Sequence, residues 1–228
     1  MNTHTDQPVP AQSSLPEKNS DQDEVALLEI ASDLSIRYKK QANLAAKGSL
    51  EVKCALAKNP SLLPAIQRMF ADGNIAEIRE ALAANPKLDP ACQPLLRQFS
   101  SELKPRRLYT LIPLAQNPAL TAEMQNILAS YVDIGVVAGL ARNPSIPESL
   151  MEPLFNCKLR EILIGLACNT KLPEHLQVKL IASGDAEVLE NIAHNLALTV
   201  AQQISAVCLD AVLLEEGVTF IKVEKRSR

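Results

Sequence analysis

Six times the chain repeats the phrase Leu/Ile-Ala-x-Asn, and the repetition restricts the fold more than any other feature. The phrase occurs as Ala55-Leu56-Ala57-Lys58-Asn59-Pro60 and Ala81-Leu82-Ala83-Ala84-Asn85-Pro86. It returns as Pro113-Leu114-Ala115-Gln116-Asn117-Pro118 and Gly139-Leu140-Ala141-Arg142-Asn143-Pro144. Two looser copies follow, Gly165-Leu166-Ala167-Cys168-Asn169-Thr170 and Asn191-Ile192-Ala193-His194-Asn195-Leu196. The asparagines stand 26, 32, 26, 26 and 26 residues apart. A fixed period of this size marks an array of stacked supersecondary units.

Composition says which kind of unit. The chain holds fifteen Pro, seven Gly and only 3 % aromatic residues. Abundant Ala and Leu favour helix, and the scarcity of β-branched and aromatic runs disfavours sheet. Pro breaks helix interiors, so the prolines must punctuate helix boundaries. Between Asp185 and Asn195, Val188, Ile192 and Ala193 fall at helical spacing behind acidic residues suited to the first turn. Pro after Asn pushes the asparagine out of the α region, and Asn tolerates turns by bonding to local backbone. A Leu or Ile that reads as buried follows each Asn: Leu62, Leu88, Leu120, Ile146, Leu172 and Leu198. A second helix starts next, signalled by Asp89-Pro90, Thr121, the capping-box spacing from Thr199 to Gln202, and Pro147 and Pro173, each followed by Glu. Each unit therefore pairs two short helices, with the small Ala of every Leu-Ala letting neighbours approach closely. A residue needed in every unit serves the stack rather than one active site.

The phrase Leu-Ala-x-Asn-Pro-x-Leu-Pro, behind a helix rich in Glu, Val and Arg, resembles the bacterial variant leucine-rich repeat family over Gly48 to Cys208. The resemblance implies an all-α fold: a right-handed, HEAT-like α-solenoid of about six 26-residue two-helix repeats. The family's cysteine-rich iron–sulfur segment has no counterpart in this sequence, so no cofactor is carried over.

The flanks give the expected domain organisation. Residues 1–20 are polar and read as a disordered tail. Residues 21–47 form an amphipathic stretch with Val25, Leu28, Leu34, Ile36 and Leu44, read as an N-terminal capping helix. The helical repeat array is assigned to 48–216, and 217–228 to an extended basic tail whose last seven residues hold four basic and one acidic side chain.

The candidate contact residues fall in three places. The longer gap carries about six extra residues that are locally basic, with Arg97, Lys104, Arg106 and Arg107 against Glu102. Insertions in repeat arrays map to loops, often on a binding face. The x slot of the phrase varies as Lys58, Ala84, Gln116, Arg142, Cys168 and His194; stacking in register turns it into a ridge. The tail offers Phe220 within a loosely alternating segment suited to a partner's sheet edge.

Chemistry is sparse. Cys54, Cys92, Cys157, Cys168 and Cys208 include no close metal or redox pair, and Cys54, Cys92 and Cys208 read as buried reduced thiols. Cys168 and His194 share a slot one unit apart and are expected as neighbours, yet the slot's variability speaks against a metal site. No phosphate loop, nucleophile elbow or His-Glu-x-x-His motif occurs. No stretch of about 18 apolar residues occurs. The N-terminus lacks the pattern of a secretory signal, and the odd cysteine count suits a reducing cytoplasm. The expectation is a non-enzymatic, cytoplasmic, protein-binding scaffold or adaptor of a larger bacterial assembly, such as a secretion or regulatory complex. It has no cofactor, membrane insertion or small-molecule substrate. The alternative, a duplex-binding HEAT-like array, is disfavoured by a net charge of −3.

Overall fold

The computed structural model describes residues 20–99 and 107–195. Thirteen helices and no strands occur among the described residues. They are α1 (Ser20–Ser32), α2 (Tyr38–Lys47), α3 (Leu50–Lys58), α4 (Pro64–Asp72), α5 (Ala76–Ala83), α6 (Cys92–Phe99) and α7 (Arg107–Gln116). After these come α8 (Ala122–Ala129), α9 (Ile134–Arg142), α10 (Glu148–Asn156), α11 (Arg160–Ala167), α12 (Glu174–Ile181) and α13 (Ala186–Ala193). Each odd-numbered helix packs on the next odd-numbered helix, from α1 to α13. Each even-numbered helix packs on the odd-numbered helix that follows it. One even and one odd helix lie between each pair of consecutive repeat asparagines.

Local chemistry sets the helix ends. Ser49 Oγ accepts the Val52 N–H at 3.1 Å, and Thr121 Oγ1 the Met124 N–H at 3.3 Å. Asp133 caps Val136, and Asp185 caps both Glu187 and Val188. Pro64 opens α4, whereas Pro147 and Pro173 stand one residue ahead of α10 and α12 in extended conformation. At the other end, Asn59 and Asn143 close α3 and α9 at ψ 121°, the region a following Pro enforces.

The core is the repeat phrase itself. Leu56, Leu82, Leu114, Leu140 and Leu166 are fully buried, as are Ala57, Ala83, Ala115, Ala141 and Ala167. Leu62, Leu88, Leu120, Ile146 and Leu172, each three residues past an Asn, are buried as expected. Gly165 shows how tight the odd row is: a Cβ there would lie 2.4 Å from the Ala138 carbonyl oxygen.

The stretch 21–47 is not one capping helix. It breaks at Asp33, whose carboxylate accepts the N–H and the hydroxyl of Ser35 at 2.8 Å each. These bonds bend the chain out of α1, and α2 starts at Tyr38. The residues assigned to the 1–20 tail other than Ser20, those assigned to the 217–228 tail, and array residues 100–106 and 196–216 lie outside the described residues.

Candidate functional site

The surface of this array is organised by what lies beneath it, two ladders of buried side-chain amides. In the first, the repeat Asn serves two directions. Its Oδ1 accepts the N–H two residues on, at 2.8 Å in Asn59, Asn85, Asn117, Asn143 and Asn169. Its Nδ2 reaches back one unit and donates to two backbone carbonyls. Asn143 donates to Ala115 O at 2.9 Å and Asn117 O at 2.6 Å, and Asn85, Asn117, Asn169 and Asn195 repeat the pattern. Asn59 reaches back to Ala31 O and Asp33 O. Ile30-Ala31-Ser32-Asp33 is thus a further copy of the phrase, 26 residues before Asn59, with Asp in the Asn slot. A carboxylate can accept the local N–H but has nothing to donate backwards, so the side-chain donors begin at Asn59.

The second ladder is glutamine. Gln41, Gln67, Gln93, Gln125 and Gln177 stand eight residues after Asp33, Asn59, Asn85, Asn117 and Asn169, and all are buried. Gln67 Nε2 donates to Leu62 O and, in the next unit, Lys87 O, while its Oε1 accepts the Asp89 N–H at 2.7 Å. Gln41 does the same with Ile36 O, Ser61 O and the Leu63 N–H. Gln93 takes Ala119 O and the Thr121 N–H. Gln125 keeps both donations, to Leu120 O and Ser145 O, but faces Pro147, which has no N–H to offer. These buried amides fix the register of the stack, because a slip would orphan each unmatched group at about 1–3 kcal/mol. The slot holds Met151 in one unit, and there too the facing residue is a proline, Pro173.

Register turns sequence positions into surface rows. In the x slot, Lys58, Ala84, Arg142 and His194 are exposed, while Gln116 and Cys168 are half-buried. The slot therefore runs along the array as surface, partly covered at those two positions. Eight residues before each Asn stand Glu51, Glu77, Tyr109, Gly135, Glu161 and Glu187, all exposed. Five residues before stand Cys54, Glu80, Ile112, Ala138, Ile164 and Glu190. The three central helices α7, α9 and α11 thus present a largely apolar strip flanked by glutamates. Tyr109 is 61 % exposed and Ile134 41 %. Tyr109 shares a shallow depression with Ala76, Glu77 and Glu80. Gly135 lies against Ile112, since a Cβ there would sit 3.4 Å from the isoleucine Cδ1. At the α13 side Arg160 pairs with Asp185 at 2.9 Å and Glu187 at 3.2 Å. Burial opposes ionisation of Asp185, but the Arg160 bond and the capped N–H groups hold its carboxyl below the usual range.

The remaining candidates separate. Arg107 opens α7; Lys104, Arg106 and Phe220 lie outside the described residues, as does Cys208. Cys168 Sγ donates to Asn191 Oδ1 at 3.1 Å, and His194 Nδ1 meets the Glu190 carbonyl at 2.7 Å, so each is engaged with α13 rather than with the other. No group of three or more His, Cys, Asp or Glu is placed to hold a metal among the described residues. Burial pushes the Cys92 thiol up to about 11 and raises that of half-buried Cys54. No described helix is long and apolar enough to cross a membrane.

A cluster that sequence reasoning passed over sits on α10 and α12. His175 Nε2 is 2.8 Å from Glu152 Oε1, Lys179 is 3.4 Å from the same oxygen, and Lys158 lies 3.8 Å above the Phe155 ring. The hydrogen bond to His175, then that to Lys179, holds Glu152 below the usual carboxylate range. The glutamine ladder was also missed, although Gln eight residues after Asn or Asp is visible in the sequence. Compared with known proteins, the chain matches no described family, no curated protein and no solved structure.

Proposed function

We propose that the chain is a right-handed α-solenoid of about six two-helix repeats whose function is to bind another protein. It is an adaptor or scaffold subunit of a larger bacterial, cytoplasmic assembly, without catalysis of its own. One observation carries this reading: buried amides lock the units in register, and the positions left free to vary are brought to the surface in rows. Extended repeat surfaces of this kind recognise partners through such variable positions. The resemblance to variant leucine-rich repeats supplies the handedness and the bacterial setting. The glutamates along the odd row argue against a phosphate backbone as partner.

The test is affinity capture of the full chain from its source cells, then reconstitution with the captured protein in purified form. A stoichiometric complex that weakens when Lys58 and Arg142 are both changed to Glu supports the reading. Failure to obtain any defined complex over a range of salt and nucleotide conditions defeats it.

A further inference from the structure

We infer that the odd-helix face from α5 to α13 is a docking site for an extended peptide segment of a partner, apolar in the middle and basic at both ends. The inference rests on the protein-binding reading above and names the face and the partner chemistry. The two surface rows have a common pattern. On α7, α9 and α11 they read Tyr109, Gly135 and Glu161, and Ile112, Ala138 and Ile164. Beyond them stand Glu77 and Glu80 on α5, and Glu187 and Glu190 on α13. The apolar side chains of the strip are half-buried to exposed, so part of each remains in water. Gly135 and Ala138 keep the centre of the strip low, and Tyr109 rises at its α5 edge.

Charge complementarity selects the occupant. At the α5 end Glu80 borders the depression beside Tyr109 and supplies the carboxylate. At the other end Arg160 engages Asp185 and Glu187 and also feels the Glu161 charge, so Glu190 is the carboxylate that faces a ligand. An acidic or purely apolar segment gains nothing from these carboxylates, and a basic one gains at both ends. Dimensions select its length. Helices pack about 8–10 Å apart, so α7 to α11 spans roughly 20 Å and α5 to α13 nearly twice that. An extended chain advances about 3.3 Å per residue, so about six apolar residues fit between basic pairs within a segment of about twelve.

The probe is a fluorescein-labelled peptide of about that length, Lys-Arg at each end and a Leu/Val/Ser centre, titrated with the full chain in an anisotropy assay. The control peptide carries Glu-Glu at both ends. The basic peptide binds at least tenfold more tightly, and the preference shrinks as salt rises. Glu80→Lys with Glu190→Lys reverses the preference, and Tyr109→Ala weakens binding at least fivefold. Glu123→Lys on α8 leaves it unchanged, and helical circular dichroism verifies that each variant folds. Equal binding of both peptides, or binding indifferent to Tyr109→Ala and to the charge reversal, overturns the inference. So does binding that emerges only when the chain's own basic residues 217–228 are deleted, since that assigns the face to the chain itself. A captured native partner whose binding ignores these substitutions overturns the site and leaves the protein-binding reading standing. Saturable, substitution-sensitive probe binding without any native partner supports the site and counts against that reading.

Discussion

Replacing Asn143 by Asp retains the side chain's shape and removes one half of what it does. Asn143 is fully buried. Its Oδ1 accepts the Ser145 N–H at 2.8 Å, a role a carboxylate fills equally well. Its Nδ2 donates to Ala115 O and Asn117 O, and there Asp places an oxygen against two carbonyl oxygens. Two lost hydrogen bonds cost about 1 kcal/mol each, and the unpaired buried charge adds about 3 kcal/mol or forces the carboxyl to protonate. The sum is about 5 kcal/mol at pH 7, a large part of a domain's total stability. Protonation supplies one donor, so the folded-state pKa of the introduced carboxyl lies above its unfolded value. The deficit relative to wild type is therefore smallest below about pH 4, the unfolded value, and grows as pH rises through the folded pKa. Asn143→Ala loses about 2–3 kcal/mol at every pH. Urea unfolding followed by circular dichroism at pH 4 to 8 reads this as a midpoint drop of about 2.5 M for Asn143→Asp at neutral pH, for a slope near 2 kcal/mol/M. An Asn143→Asp variant within about 1 kcal/mol of wild type at pH 7, or one whose deficit ignores pH, refutes the ladder's energetic role. Asp33 is the natural contrast: it is exposed, and the Ser35 N–H lowers its pKa, because no backward donation is asked of it.

Three further outcomes follow from the packing. Gly165→Ala costs about 1–3 kcal/mol, since the new methyl meets the Ala138 backbone carbonyl, whereas Gly135→Ala, which meets only side chains, the capping Asp133 carboxylate at 3.2 Å and the end of Ile112 at 3.4 Å, costs about 1 kcal/mol at most; thermal melts of the two separate them. Gln67→Met strands the Asp89 N–H with two carbonyls and costs about 2–3 kcal/mol, while Met151→Gln, opposite Pro173, changes stability by less than about 1 kcal/mol in urea titrations. Cys157 is alkylated by iodoacetamide in the native protein at pH 8, whereas Cys92, buried and with its thiol pushed up to about 11, reacts only on unfolding, as peptide mass mapping reads.

Much of the fold could be read from one phrase, because its residues act on themselves and their near neighbours. Leu56, Ala57 and Leu62 announce burial by helical spacing, and Asn-Pro announces the end of a helix. Asn reads as a turn former, and its Oδ1 does that work with Ser61. Its other half bonds 26 and 28 residues back, where a local reading does not look. Gln67 looks like a solvated residue between Ile66 and Arg68, and its burial is made favourable by the Lys87 carbonyl and the Asp89 N–H in the next unit, together with the local Leu62 carbonyl. Asp33 hid a copy of the phrase and with it the break between α1 and α2. The x-slot row was legible because variation marks surface. The apolar strip was not, because Tyr109, Ile112, Ala138 and Ile164 look unrelated until the ladders align their helices.

That alignment is the central claim, and distances along one row test it most directly. Spin labels on p-acetylphenylalanine, placed pairwise at Lys58 with Gln116, Arg142 or His194, report it by pulsed electron–electron resonance. With steps of about 8–10 Å per helix, the three pairs give narrow distributions that lengthen in that order, beginning at about 20 Å. Distances that fail to grow with each added unit, or broad overlapping distributions, would contradict a stack held in register by its buried amides.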